Sequence, residues 1–134
     1  MTTPFGPQLI GETEKTLNAV LLRVLDGTGL TEPQWVTLRI ASQNETGAEL
    51  VELVADRAHF PDAAHLVAGL TARDLLDGQG LSAAGRELIA GLQQRIGESA
   101  LPIFDGLDAG DVAATERVLN RLIDRGRAVL ATAT

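Results

Sequence analysis

The residues with chemical potential in this chain are few and poorly arranged for catalysis. Its two histidines, His59 and His65, stand six apart with Asp62 between them. A six-residue step does not bring two side chains onto one helical face, so no metal centre is expected. Their expected roles are a satisfied polar group and a solvent-facing side chain. Cysteine is absent, which removes disulfides, thiolate zinc sites and thiol redox switching. No Ser, His and Asp fall at spacings that suggest a nucleophilic triad. The glycines form neither a dinucleotide fingerprint nor a phosphate loop, and Gly78-Gln79-Gly80 reads as a turn. These patterns predict no enzyme and no cofactor.

Two further features lend themselves to binding. Trp35, the sole tryptophan, can stack on an aromatic ligand or fill a core. Arg117, Arg121 and Arg125 recur every four residues, either as a solvated face paired with Glu116 and Asp124 or as a ridge for an anion or partner.

Composition bounds the rest. With 134 residues, 45% hydrophobic and 22% charged, the chain reads as one globular domain. Aromatics are only 3%, so the core must come from Leu, Val, Ile and Ala, which favours helices. The segment Met1 to Pro7 has no basic n-region, and no apolar run is long enough to span a bilayer. A soluble, cytoplasmic protein without membrane contact is therefore expected. The net charge of −7 sets 11 basic against 18 acidic residues, a balance that repels polyanions unless charge is segregated.

The elements that must position these residues follow from periodicity and punctuation. Ile10, Thr13, Leu17, Val20, Leu21 and Val24 trace a helical face over 8–26, ended by Asp26-Gly27-Thr28-Gly29. Thr31 with Gln34 three residues later is a capping box, and Pro33 suits the first turn of a helix reaching Ser42. A short helix is predicted over about 47–58, and another from Pro61 or Asp62 to about Asp74. Asp77-Gly78-Gln79-Gly80 leaves room for only a vestigial hairpin. Ser82 caps a fifth helix, expected to kink or end at Pro102, and Asp108 caps a sixth. The prediction is a mainly all-α fold with a helix-turn-helix lobe over 31–81 and long helices over 8–26 and 82–131. Those long apolar stripes exceed what the small lobe can cover, so they call for a partner subunit.

The order of elements, the run Gly29-Leu30-Thr31-Glu32-Pro33-Gln34-Trp35-Val36-Thr37-Leu38 and the run Leu81-Ser82-Ala83-Ala84-Gly85-Arg86-Glu87-Leu88 resemble the multiple-antibiotic-resistance regulator (MarR) family of winged-helix proteins. The second run is similar to the motif that follows that family's wing. The resemblance covers about residues 8–131 and implies a homodimer held by the first, fifth and sixth helices. Leu9, Ile10, Ile103, Phe104, Val118 and Leu122 would lie at that interface. It implies double-stranded DNA as the partner of the fourth helix, through Ala63, Ala64, His65, Ala68, Thr71 and Arg73. It also implies a small, often aromatic, ligand between lobes, with Trp35, Leu38, Arg39 and Leu88 as its wall.

The residues depart from that pattern in three ways. Leu75 to Leu81 is too short for a full wing and holds no arginine. The fourth helix offers only His65, Thr71 and Arg73 as base-reading donors. Residues 43–81 carry seven acids against two arginines, so −5 of the net −7 lies in the lobe that should meet DNA. Tight DNA binding rests largely on phosphate neutralisation. The alternative is a member that no longer binds DNA and serves as a dimer binding a protein partner or a small ligand.

Overall fold

A computed structural model describes residues 2–132. The chain forms six helices and one small sheet: α1 (Pro7–Leu25), α2 (Glu32–Ser42), α3 (Leu50–Ala58), α4 (Ala63–Ala72), β1 (Leu76–Asp77), β2 (Gly80–Leu81), α5 (Ala83–Phe104) and α6 (Ala109–Ala131). The fold is mainly α-helical, with a winged-helix-like core and a minimal wing. It divides into two compact units, Met1–Ser99 and Ala100–Thr134.

The first unit is organised around α2. The capping box that starts this helix is complete: Gln34 N–H donates to Thr31 Oγ1, and Thr31 N–H donates to Gln34 Oε1. Trp35, Val36, Thr37, Leu38, Ile40 and Ala41 are all buried, so the helix is covered on most of its circumference. It packs against α1, α3, α4 and β2. Leu38, Leu50, Val54 and Leu70 are fully enclosed, and Val24, Leu25, Leu30, Ile89 and Leu92 close the core from α1, its following loop and α5. Thr37, also buried, satisfies its hydroxyl on Pro33 O within the helix.

Helix ends are held by specific bonds. Arg95 of α5 donates to Val24 O at 2.8 Å, placing a cation on the carbonyl end of α1, where the helix dipole favours it. At the end of α4, Leu75 N–H reaches Leu70 O and Asp74 N–H reaches Thr71 O, both at 3.0 Å. That pair is a Schellman motif with Asp74 as the left-handed residue (φ 60) and Leu75 packed in the core beside Leu70. Ser82 caps α5 by accepting from Gly85 N–H at 3.0 Å while donating to Asp74 O at 2.6 Å.

Two expected boundaries shift. α3 starts at Leu50 rather than 47, because Asn44 bonds both backbone groups of Ala48 and Gly47 adopts φ 71, which keeps the entry non-helical. α5 passes through Pro102 to Phe104 instead of stopping near Leu101. Pro102 lies in the last turn, where only a few residues remain to be disrupted.

The second unit contains the end of α5, a turn with Gly106 at φ 80, and α6. Asp108 Oδ2 caps α6 by accepting from Asp111 N–H. No side chain of this 23-residue helix is buried.

Candidate functional site

The lobe comprising α2, α3, α4 and the hairpin holds the residues expected to meet DNA. α3 and α4 pack on each other and on α2, and β1 follows α4 directly. The strands pair antiparallel with Leu76 opposite Leu81 and Asp77 opposite Gly80. Gly78 and Gln79 form the two-residue loop, with positive φ at Gly78 only, the arrangement of a II′ turn. The wing is thus present but ends two residues beyond each strand's start.

Of the α4 positions, Ala64, His65, Ala68 and Thr71 face solvent. Ala63 does not: at 2% exposure it belongs to the core, which corrects its expected place on the reading surface. The signal was in the spacing, since Ala63, Leu66, Val67 and Leu70 form one i, i+3, i+4, i+7 stripe. Thr71 donates its hydroxyl to Val67 O, leaving an acceptor outward. Arg73 is exposed and spends one N–H on Gly29 O at 3.3 Å, tying the end of α4 to the loop before α2. His65 therefore remains the outward donor on the first turns. All seven carboxylates of residues 43–81 are exposed, as are Arg57 and Arg73, so the −5 charge lies on the surface rather than being neutralised inside.

Gln79 is the residue that sequence reasoning missed. Its Oε1 accepts from Leu50 N–H at 2.7 Å, at the first residue of α3, and its Nε2 reaches Glu49 Oε2 at 3.4 Å. Its backbone O accepts from Asn44 Nδ2 at 2.9 Å. Glu49, the residue preceding α3, makes no side-chain cap of its own. The wing tip therefore supplies the N-terminal cap of α3 from a position 29 residues away. A short turn locked in this way is a brace for the lobe, with its tip directed at α3.

The expected ligand wall is also redistributed. Trp35, at 4% exposure, and Leu38 belong to the hydrophobic core. Leu88 is half-buried and packs against the same core. A depression of about 460 Å³ does open beside α2, and Arg39 is in its wall, but Trp35, Leu38 and Leu88 are not. Among the described residues no group of three or more His, Asp or Glu side chains is placed to hold a metal ion. No described helix is long and apolar enough to cross a membrane.

The residues expected at a subunit interface lie on apolar surfaces of differing exposure. Leu9 and Ile10 are half-buried on α1. Ile103, Phe104, Val118 and Leu122 are exposed, Phe104 to 56% and Leu122 to 38%. They belong to a larger set, for Leu101, Leu107, Val112, Leu119, Ile123, Val129 and Leu130 are exposed as well. On α6 the steps 112, 119, 123, 130 and 118, 122, 129 gather these side chains into one broad stripe.

No protein-family model matches the chain, and no curated protein matches it. Among solved structures, it is similar to a protein of unknown function from Listeria innocua Clip11262, with a TM-score of 0.63 at 19% identity over 87% of this chain and 88% of that one. The likeness extends to the fold.

Proposed function

We propose that this chain is a cytoplasmic, non-enzymatic homodimeric regulator of the MarR type, which presents α4 to double-stranded DNA. The observation that carries the reading is the winged-helix order: a packed α2–α3–α4 lobe, a hairpin directly after α4, and a Ser82-capped helix after the hairpin. The dimer is supported by α6. A helix of 23 residues with no buried side chain lacks the tertiary packing that supplies most helical stability in proteins. Pairing this stripe with another would take exposed apolar side chains out of water on both copies, the main favourable term in association. A second copy brings the same stripe, and a two-fold axis pairs like with like.

A second reading has its own observation. Seven exposed carboxylates and a wing tip turned inward favour a basic protein partner over duplex DNA, with the dimer kept as scaffold. A small ligand acting through the same dimer belongs to this reading too. Titration of the purified protein against labelled duplex from around its own gene separates the two. At about 50 mM salt, the DNA-binding reading predicts a specific complex that weakens steeply by about 200 mM. No complex at the lower salt, from a protein that sizes as a dimer, refutes it and leaves the protein-partner reading.

A further inference from the structure

Arg117, Arg121 and Arg125 recur every four residues on α6, and all three are exposed. Each step of four advances about 6 Å along a helix and turns about 40°, so the guanidiniums form one ridge about 12 Å long. Arg117 and Arg121 face away from the apolar stripe of α6, and Arg125 flanks it. Among the described residues the arginines that hydrogen-bond are Arg73, Arg86 and Arg95, so no such bond ties the ridge to Glu116 or Asp124. Residues 117–127 hold four of the chain's ten arginines against one acid, Asp124. In a chain of net charge −7, this is where positive charge is segregated.

The outward side of α3 carries the opposite pattern. Leu50 and Val54 are buried, whereas Glu52 and Asp56 are exposed, with the exposed Ala55 beside them. Glu49, also exposed, stands one turn before Glu52 and uses Oε2 on Gln79 Nε2, leaving Oε1 outward. Steps of three and then four place the three carboxylates along about 10 Å of one face. Glu52 and Asp56 are separated by about 6 Å of rise, the same as successive arginines of the ridge. The two faces are therefore opposite in sign and alike in spacing and length.

We propose that the α6 ridge of one copy docks on the α3 face, Glu49, Glu52 and Asp56, of a second copy. The ridge calls for an anionic helix with carboxylates at four-residue steps, and every copy of this chain carries one. The contact joins two different surfaces, so each copy keeps a free ridge or a free acidic face for the next, and assembly stays open-ended unless it closes into a ring. Copies of net charge −7 repel at long range, but at about 0.15 M salt charges act over only about 8 Å, so the groups at contact decide. This assembly does not require the apolar stripe of α6 to pair, and it holds whether or not the protein binds DNA.

A charge swap tests it. One full-length variant carries Arg117→Glu and Arg121→Glu, which makes both faces acidic; the other carries Glu52→Arg and Asp56→Arg, which makes both basic. All four positions are exposed, and far-ultraviolet circular dichroism checks that the variants fold. Weight-average mass is followed by light scattering against concentration at about 0.15 M salt. The wild type should keep growing with concentration, and at about 1 M salt, where screening acts within about 3 Å, growth should stop. Each variant alone should associate at least about 25-fold more weakly, fivefold for each of two exposed pairs at the upper end. An equal mixture of the two should recover the growth, because each then meets a face of opposite sign. No growth of the wild type up to millimolar concentration, variants that associate like the wild type, or a mixture that recovers nothing overturns the proposal. Retention of an unrelated DNA duplex by the ridge, without growth, overturns it in favour of a phosphate backbone.

Discussion

Replacing Gln79 by Ala tests the inward-facing wing directly. The substitution removes the acceptor 2.7 Å from Leu50 N–H and the donor to Glu49, while leaving the Gln79 carbonyl that receives Asn44. Leu50 is fully enclosed, so its amide finds no easy substitute in water. Loss of a helix cap costs about 1 kcal/mol, within a range of roughly 0.5–2. An unsatisfied, partly buried N–H raises the figure towards about 2 kcal/mol. For a domain near this size each kcal/mol lowers the melting temperature by about 4 °C or more, so a fall of roughly 4–10 °C is expected. Thermal melts followed by circular dichroism, at matched protein concentration because association shifts the midpoint, provide the readout. Amide hydrogen exchange should show early loss of protection at the start of α3 in particular. A variant that melts with the wild type and keeps α3 protected would refute the brace, and the tip would then be a free loop.

Other perturbations have equally definite outcomes. Gly85→Ala places a methyl group 2.1 Å from Leu75 O, a backbone atom held by the Ser82 bond, so it should cost about 3 kcal/mol or more and leave little folded protein by circular dichroism. Asn44→Ala removes the donor to the Ala48 and Gln79 carbonyls and should destabilise by about 1 kcal/mol in denaturant melts. Arg95→Ala loses the bond to Val24 O at the end of α1 and should destabilise by about 1–2 kcal/mol, read as a lower urea midpoint with unchanged slope. Leu122→Asp, on the exposed stripe of α6, should dissociate the dimer while Trp35 fluorescence continues to report a packed first unit.

Much of this fold was legible because its signals are local. Thr31 with Gln34, Ser82 and Asp108 each announce a helix start that depends only on the next three residues, and all three caps form. Short-range apolar spacing also located the core of α2 and the stripe of α6. What escaped reading depends on distant partners. Gln79 looks like a turn residue, and nothing near it reveals that Leu50 needs its oxygen. Arg73 looks like a free donor until the Gly29 carbonyl is placed beside it. Ala63 was misread for another reason: alanine carries too little hydrophobic weight to stand out, although its step to Leu70 matched the buried face. His59 holds a left-handed position that usually goes to glycine, and only the backbone discloses it.

Sedimentation equilibrium of the wild-type chain at micromolar concentration tests the account most directly, since both proposed roles rest on α6 meeting a second copy. The account predicts a species of twice the 14.1 kDa chain mass, reverting towards the single mass in Leu122→Asp. A wild-type protein that sediments as a well-folded monomer, with α6 helical by hydrogen exchange, would contradict it.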